Sequence, residues 1–132
     1  MKWFAGNIEQ NTLANNSFRK VLYTTNHSQL VLMSLLPKEE IGMEMHPAND
    51  QFFRFENGQG KCIIDGNEYE LNSGTAIIVP AGSQHNVINI SDTEKLKFYT
   101  IYSPADHKDG VEHITKQDAI NNDLPFDGVT TE

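Results

Sequence analysis

Cysteine is nearly absent from this chain: Cys62 stands alone among 132 residues. One thiol excludes an intrachain disulfide framework and a thiolate metal cluster. Apolar runs are short, and none approaches the roughly 20 residues of a membrane-spanning helix. The opening Met1-Lys-Trp-Phe-Ala-Gly-Asn lacks the sustained apolar core of a secretory signal. A cytoplasmic location is therefore the expectation. Cations are also scarce. Ten Lys and Arg face 18 Asp and Glu, giving a formal net charge of −8, and only Arg19 and Arg54 are arginines. This balance repels nucleic acid and anionic membranes, so neither is an expected partner. A Gly-rich phosphate loop opening a helix, a Cys-x-x-Cys pair and a Gly-x-Ser-x-Gly elbow are all missing. Helical periodicity is weak. Only Thr115 to Asn121 reads as a short helix, with Thr115 as cap and Asp118 three residues on.

What is present is a succession of short strand-like runs. They cover Ser17 to Thr25, Gln29 to Leu36, Asp50 to Glu56, Lys61 to Ile64, Glu68 to Leu71, Thr75 to Val79, Gln84 to Ile90 and Leu96 to Ser103. Asn57-Gly58, Asp65-Gly66-Asn67 and Asn72-Ser73-Gly74 punctuate them. Many strands at short spacing predict an all-β sandwich or barrel. The length suits one domain spanning 1–132, with a barrel core over about 17–103. Residues 104–113 read as a loop outside the barrel, and Asp123 to Glu132 as a frayed tail. Ser28 to Leu36 is apolar on both faces. The face away from the barrel interior needs cover, which predicts a homodimer, with Trp3-Phe4 and strand edges as candidate contacts.

The most specific stretch is Gly74-Thr-Ala-Ile-Ile-Val-Pro80-Ala-Gly82-Ser-Gln-His85-Asn-Val-Ile-Asn89. Its Gly, Pro, Gly, His and Asn spacing resembles the second signature of the cupin family. Upstream, Glu44-Met-His46-Pro-Ala-Asn-Asp-Gln51 leads to Gly58 and resembles that family's first signature. There Glu44 and Gln51 replace the usual first His and Glu. The resemblance implies a jelly-roll, or double-stranded β-helix, barrel with a divalent transition metal inside. Its candidate ligands are His46, His85, Glu44 and Gln51, with Zn, Mn, Fe, Ni and Cu all compatible.

Strand alternation puts Glu44 with His46, Gln51 with Phe53 and Phe55, and His85 with Val87 and Asn89 on shared faces. Gln51 either ligates or hydrogen-bonds His46 or a small molecule. Glu44 is a ligand, a general base or a solvated rim residue. Phe53 and Phe55 read as core residues that also wall the pocket. Tyr102, with Tyr99, His107 and His113, borders the pocket mouth or is ordinary strand and loop. Asp50 reads as structural, Asn89 as a partner for backbone groups, and Cys62 as a buried small hydrophobe. Two functions follow from the resemblance. The first is a metal-dependent enzyme, dioxygenase- or isomerase-like, on a small organic substrate, with Glu44 as its catalytic residue. The second is a small-molecule or sugar-binding module without turnover. A sugar-phosphate isomerase wants an inward cation for the phosphate, and Arg54 lies on the face opposite Gln51, so the sequence leans away from that reaction.

Overall fold

Residues 3–132 are described by a computed structural model. All eight strand-like runs are strands: β1 (Arg19–Thr24), β2 (Gln29–Leu35), β3 (Asp50–Asn57), β4 (Gly60–Ile64), β5 (Asn67–Leu71), β6 (Ala76–Val79), β7 (His85–Asn89) and β8 (Leu96–Ser103). A two-residue β9 (Glu112–His113) joins them. They form a six-stranded sheet, ordered β6-β3-β8-β2-β1-β9, and a three-stranded sheet, ordered β5-β4-β7. Every named pairing is antiparallel. This is the expected all-β jelly roll.

Alternation builds the core from both sheets. Phe53 and Phe55 on β3, Phe98 on β8, Met33 on β2, Cys62 on β4 and Val87 on β7 are all fully buried. Phe55 and Phe98 pack with ring centroids 4.9 Å apart. Asn89 behaves as the sequence suggested. Its amide donates to the carbonyls of Leu35, Leu36 and Glu94, and its oxygen accepts from Ser91 N–H.

Four features depart from the sequence reading. The first is an additional helix, α1 (Ile8–Ala14), capped by Asn7, whose side chain accepts from Gln10 N–H. It lies against β2, β3 and β8. Lys97, outward on β8, donates to Leu13 O at 2.6 Å and Asn16 Oδ1 at 3.0 Å and ties this segment to the sheet. The second concerns β2. Leu32 and Ser34 point outward yet are only 3% and 4% exposed in the single chain. Cover from the chain itself explains the strand's two apolar faces, so those faces give no reason for a second subunit.

The third departure is the segment over 104–113. Far from lying outside the barrel, it buries Ala105, His107, Val111 and His113. It also contributes β9 to the edge of β1. The fourth is the tail. Phe126 N–H bonds Asp106 O, and Thr131 N–H bonds Thr24 O. Thr24 N–H in turn donates to Thr131 Oγ1 at 2.9 Å. The short second helix, α2 (Lys116–Asn121), is present as expected, with Thr115 and Asp118 forming a reciprocal capping box. Among the described residues no helix is long and apolar enough to cross a membrane.

Candidate metal centre

The site begins where the segment before β3 runs along the free edge of β7. Ile41 N–H bonds Val87 O, and Glu44 and His85 exchange both backbone hydrogen bonds at 2.9 Å. Three residues on one side match two on the other, so an extra residue is accommodated at Gly42-Met43. Beyond it, alternation is regular: Met43 and Met45 are exposed, whereas Glu44 and His46 turn inward. The Pro80–Gly82 turn is fixed to the same segment. Gly82 N–H bonds His46 O, and Ala81 N–H bonds Asp50 Oδ1. Asp50 is therefore structural, as read from the sequence. These contacts deliver His85, the first residue of β7, opposite Glu44.

The side chains converge. Ligand atoms of Glu44, His46 and His85 all lie within 4.8 Å of one another. Glu44 Oε1 is 3.3 Å from His46 Nε2 and 3.7 Å from His85 Nε2. Each imidazole is held from its other nitrogen. His46 Nδ1 faces Asp106 Oδ1 at 3.6 Å, and His85 Nδ1 faces Ser83 O at 3.3 Å. Both Nε2 atoms are buried and have no hydrogen-bond partner. An imidazole oriented through Nδ1, with Nε2 turned toward a carboxylate that could share a cation with it, is the arrangement that metal-ligating histidines adopt. Gln51 adds a third unpartnered atom. Its Nε2 donates to Thr100 Oγ1 at 3.0 Å, while its Oε1 is buried without a partner. The residues present therefore fit a divalent transition metal, with Glu44, His46 and His85 as the group that could hold it.

Comparisons with known proteins bear on the family. A family model described as "Cupin domain" matches residues 31–102. The chain belongs to the cupin family. The cupin is 49% identical over 107 residues to the uncharacterized protein L612 of Acanthamoeba polyphaga mimivirus, covering 79% of this chain and 67% of that protein. It is 46% identical over 125 residues to the uncharacterized protein YrkC of Bacillus subtilis, covering 90% of this chain and 67% of that protein. Among solved structures it is similar to BH2720 of Bacillus halodurans, at 40% identity and a TM-score of 0.87. That match covers 90% of this chain and 94% of the other.

In this cupin the two imidazoles have opposite electrostatic fates. Contact with the Glu44 carboxylate raises the pKa of His46 above the ordinary 6.5, against the opposing effect of burial. Burial lowers that of His85, outweighing its contact with Ser83 O. Burial alone would raise Glu44, but His46, His85 and Arg19 together bring it below its usual range. In the metal-free protein, the His46 and His85 ring signals should therefore titrate on opposite sides of pH 6.5, His46 above and His85 below. Long-range ¹H–¹⁵N NMR reads this directly, and a shared midpoint would refute it. Protons compete with a metal for Nε2. Metal loading should accordingly weaken as pH falls through the raised pKa of His46.

Above the cluster lies a cavity of about 420 Å³, within the size range of small-molecule sites. Glu44 and His46 form part of its lining, together with Arg19, Asp106, Ile41 and Ile120. The pocket residues expected from the sequence sit elsewhere. Phe53, Phe55 and Tyr102 are at most 1% exposed and are not part of the lining. Their rings fill the barrel beneath the site, with Phe53 edge-on to His85 at 6.0 Å and Tyr102 edge-on to His46 at 5.5 Å.

His107 is buried against Tyr102, with its Nε2 3.2 Å from the phenol oxygen, and burial keeps its imidazole neutral. Sequence reasoning missed Asp106 because 104–113 resembles a solvent loop. It also missed Arg19. The signal was available: Arg19 shares a face of β1 with buried Val21, while Lys20 between them is exposed. Arg19 is thus an inward cation. Arg54 points outward as expected and pairs with Glu56.

Proposed function

We propose that this cupin is a metal-dependent enzyme acting on a small polar organic molecule. The observation that carries the reading is the convergence of Glu44, His46 and His85, both Nε2 atoms turned toward the one carboxylate, beside a cavity of small-molecule size. Two imidazoles and one carboxylate form the ligand set of non-haem iron(II) oxygenases, which leave open positions for substrate. This favours dioxygenase-type chemistry over isomerisation. A bound metal would supply Lewis acidity and a place for substrate oxygen.

The chain's own groups then divide the work. A carboxylate held below its usual pKa is a better ligand than base, which assigns Glu44 to the metal. Burial raises the carboxyl of Asp106, against the pull of His46, and this group also lines the cavity. Asp106 is the better placed proton carrier.

Elemental analysis of untagged protein purified without chelator tests the proposal. Wild type should carry near-stoichiometric transition metal, and His85→Ala should lose it. Protein that stays empty after incubation with Zn, Mn, Fe, Ni and Cu salts would overturn it. The reading would then pass to a small-molecule-binding module without turnover. One contact favours that alternative: Glu44 lies within 3.7 Å of both Nε2 atoms and neutralises the cluster without a metal.

A further inference from the structure

Arg19 is out of place by ordinary energetics. It opens β1, opposite Met33 on β2 and His113 on β9, and is only 8% exposed. Its Nε is buried without a hydrogen-bond partner. The guanidinium forms no ion pair with any described residue. Its Cζ lies 5.4 Å from the centroid of the Phe18 ring, and its charge also acts at longer range on Glu44 and Asp106. A buried guanidinium nitrogen with no hydrogen-bond partner carries a desolvation cost that nothing in the protein offsets directly. The two carboxylates nearest to hand are already engaged. Glu44 is shared between His46 and His85, and Asp106 lies between His46 and His107. The guanidinium lines the same cavity as both.

We infer that Arg19 is the anchor for an anionic group on the ligand, and that the ligand is a small organic carboxylate. The inference rests on reading the cavity as a small-molecule site. A planar guanidinium presents paired N–H donors matched to the two oxygens of a carboxylate or to two oxygens of a phosphate. The rest of the lining decides between them. Glu44, Asp106 and Asp123 bring three carboxyl groups to the cavity, against Arg19 and the Lys116 side chain. A singly charged carboxylate meets less repulsion there than a phosphate of nearly two charges. Anchoring one end at Arg19 leaves the other end of the molecule free to reach the Glu44, His46 and His85 cluster across the same cavity.

The test is a binding titration on the full chain with pyruvate and propionate as probes. Propionamide serves as the uncharged control, and inorganic phosphate as the competing anion. Metal content is measured on the same samples. Wild type should bind the carboxylates and not the amide. Arg19→Gln should weaken carboxylate binding at least tenfold with metal content unchanged. Arg19→Lys, which keeps the charge but loses the fork, should fall between them. In wild type, the Arg19 Nε–H NMR signal should move as carboxylate is added, a readout that needs no variant to fold.

An unmoved Nε–H signal, undiminished binding by Arg19→Gln, or tighter binding of phosphate than of either carboxylate would each overturn the assignment. Failure of the metal reading looks different. In that case wild type carries no metal, yet the carboxylate titration still depends on Arg19.

Discussion

Phe53→Ala should lower stability by about 3–5 kcal/mol, the usual cost of emptying a buried aromatic site. The ring is fully buried. It stacks on Phe55 at 6.1 Å, packs on Phe98 at 5.9 Å and meets His85 edge-on at 6.0 Å. Its neighbours belong to two paired strands, β3 and β8, which resist moving inward to fill the hole. In a chain of this size the loss corresponds to a fall in melting temperature of roughly 10–15 °C. It also removes one wall that fixes the His85 ring. Metal affinity should drop in the folded variant although no ligand has changed. Thermal unfolding followed by circular dichroism, with metal content measured below the transition, checks both effects. A melting temperature within about 3 °C of wild type, under 1 kcal/mol, would show that the core can close over the gap.

Gly58→Ala should cost about 2–5 kcal/mol, by a different route. Gly58 has φ +98°, a conformation that an L side chain adopts only under strain. A Cβ there would also lie 2.6 Å from Lys95 O and 3.1 Å from Leu96 Cα. Both are main-chain atoms at the entrance to β8, so no rotamer change relieves the overlap. Gly66 supplies the control. Its φ is +85°, but a Cβ would meet nothing within 4 Å. Gly66→Ala should therefore show the backbone strain alone, about 1–2 kcal/mol. Denaturant unfolding of the two variants side by side separates strain from overlap. Equal losses would mean that the hairpin can lift off β8 freely.

Period and turn chemistry made the strands legible, because each is short and most are bounded by Gly, Asn, Asp or Pro. The two histidines and Glu44 were legible through the resemblance of their spacing to the two cupin signatures, which implied that they meet inside the barrel. What stayed hidden has physical reasons. Helix α1 is seven residues with Thr12 as its one buried side chain. It shows no apolar stripe because the sheet, rather than its own sequence, holds it. Residues 104–113 look like solvent loop because Asp106 and His107 are polar. They are inside because they serve polar neighbours, His46 and Tyr102. Strand β2 makes the same point, since a two-faced apolar strand says that cover exists and not which segment provides it. Arg19 was hidden by habit of class: arginine is rarely buried, and the buried one here is the one that bears on ligand choice.

The walls of the cavity come from opposite ends of the chain. Ser17 bonds Glu112, 95 residues away, and Thr24 bonds Thr131, 107 residues away. A polypeptide emerging from the ribosome can pair its eight long strands by Ser103 while the mouth of the barrel still gapes. Arg19 and the imidazoles stay open to water until the last stretch arrives and folds across them. Contacts of such long sequence separation are slow to form. A chain truncated after Ser103 should therefore keep a β-sheet circular dichroism spectrum and lose the cavity, whose lining draws on Asp106, His107, Lys116, Ala119, Ile120, Asp123 and Pro125; carboxylate binding by that truncated chain would refute this.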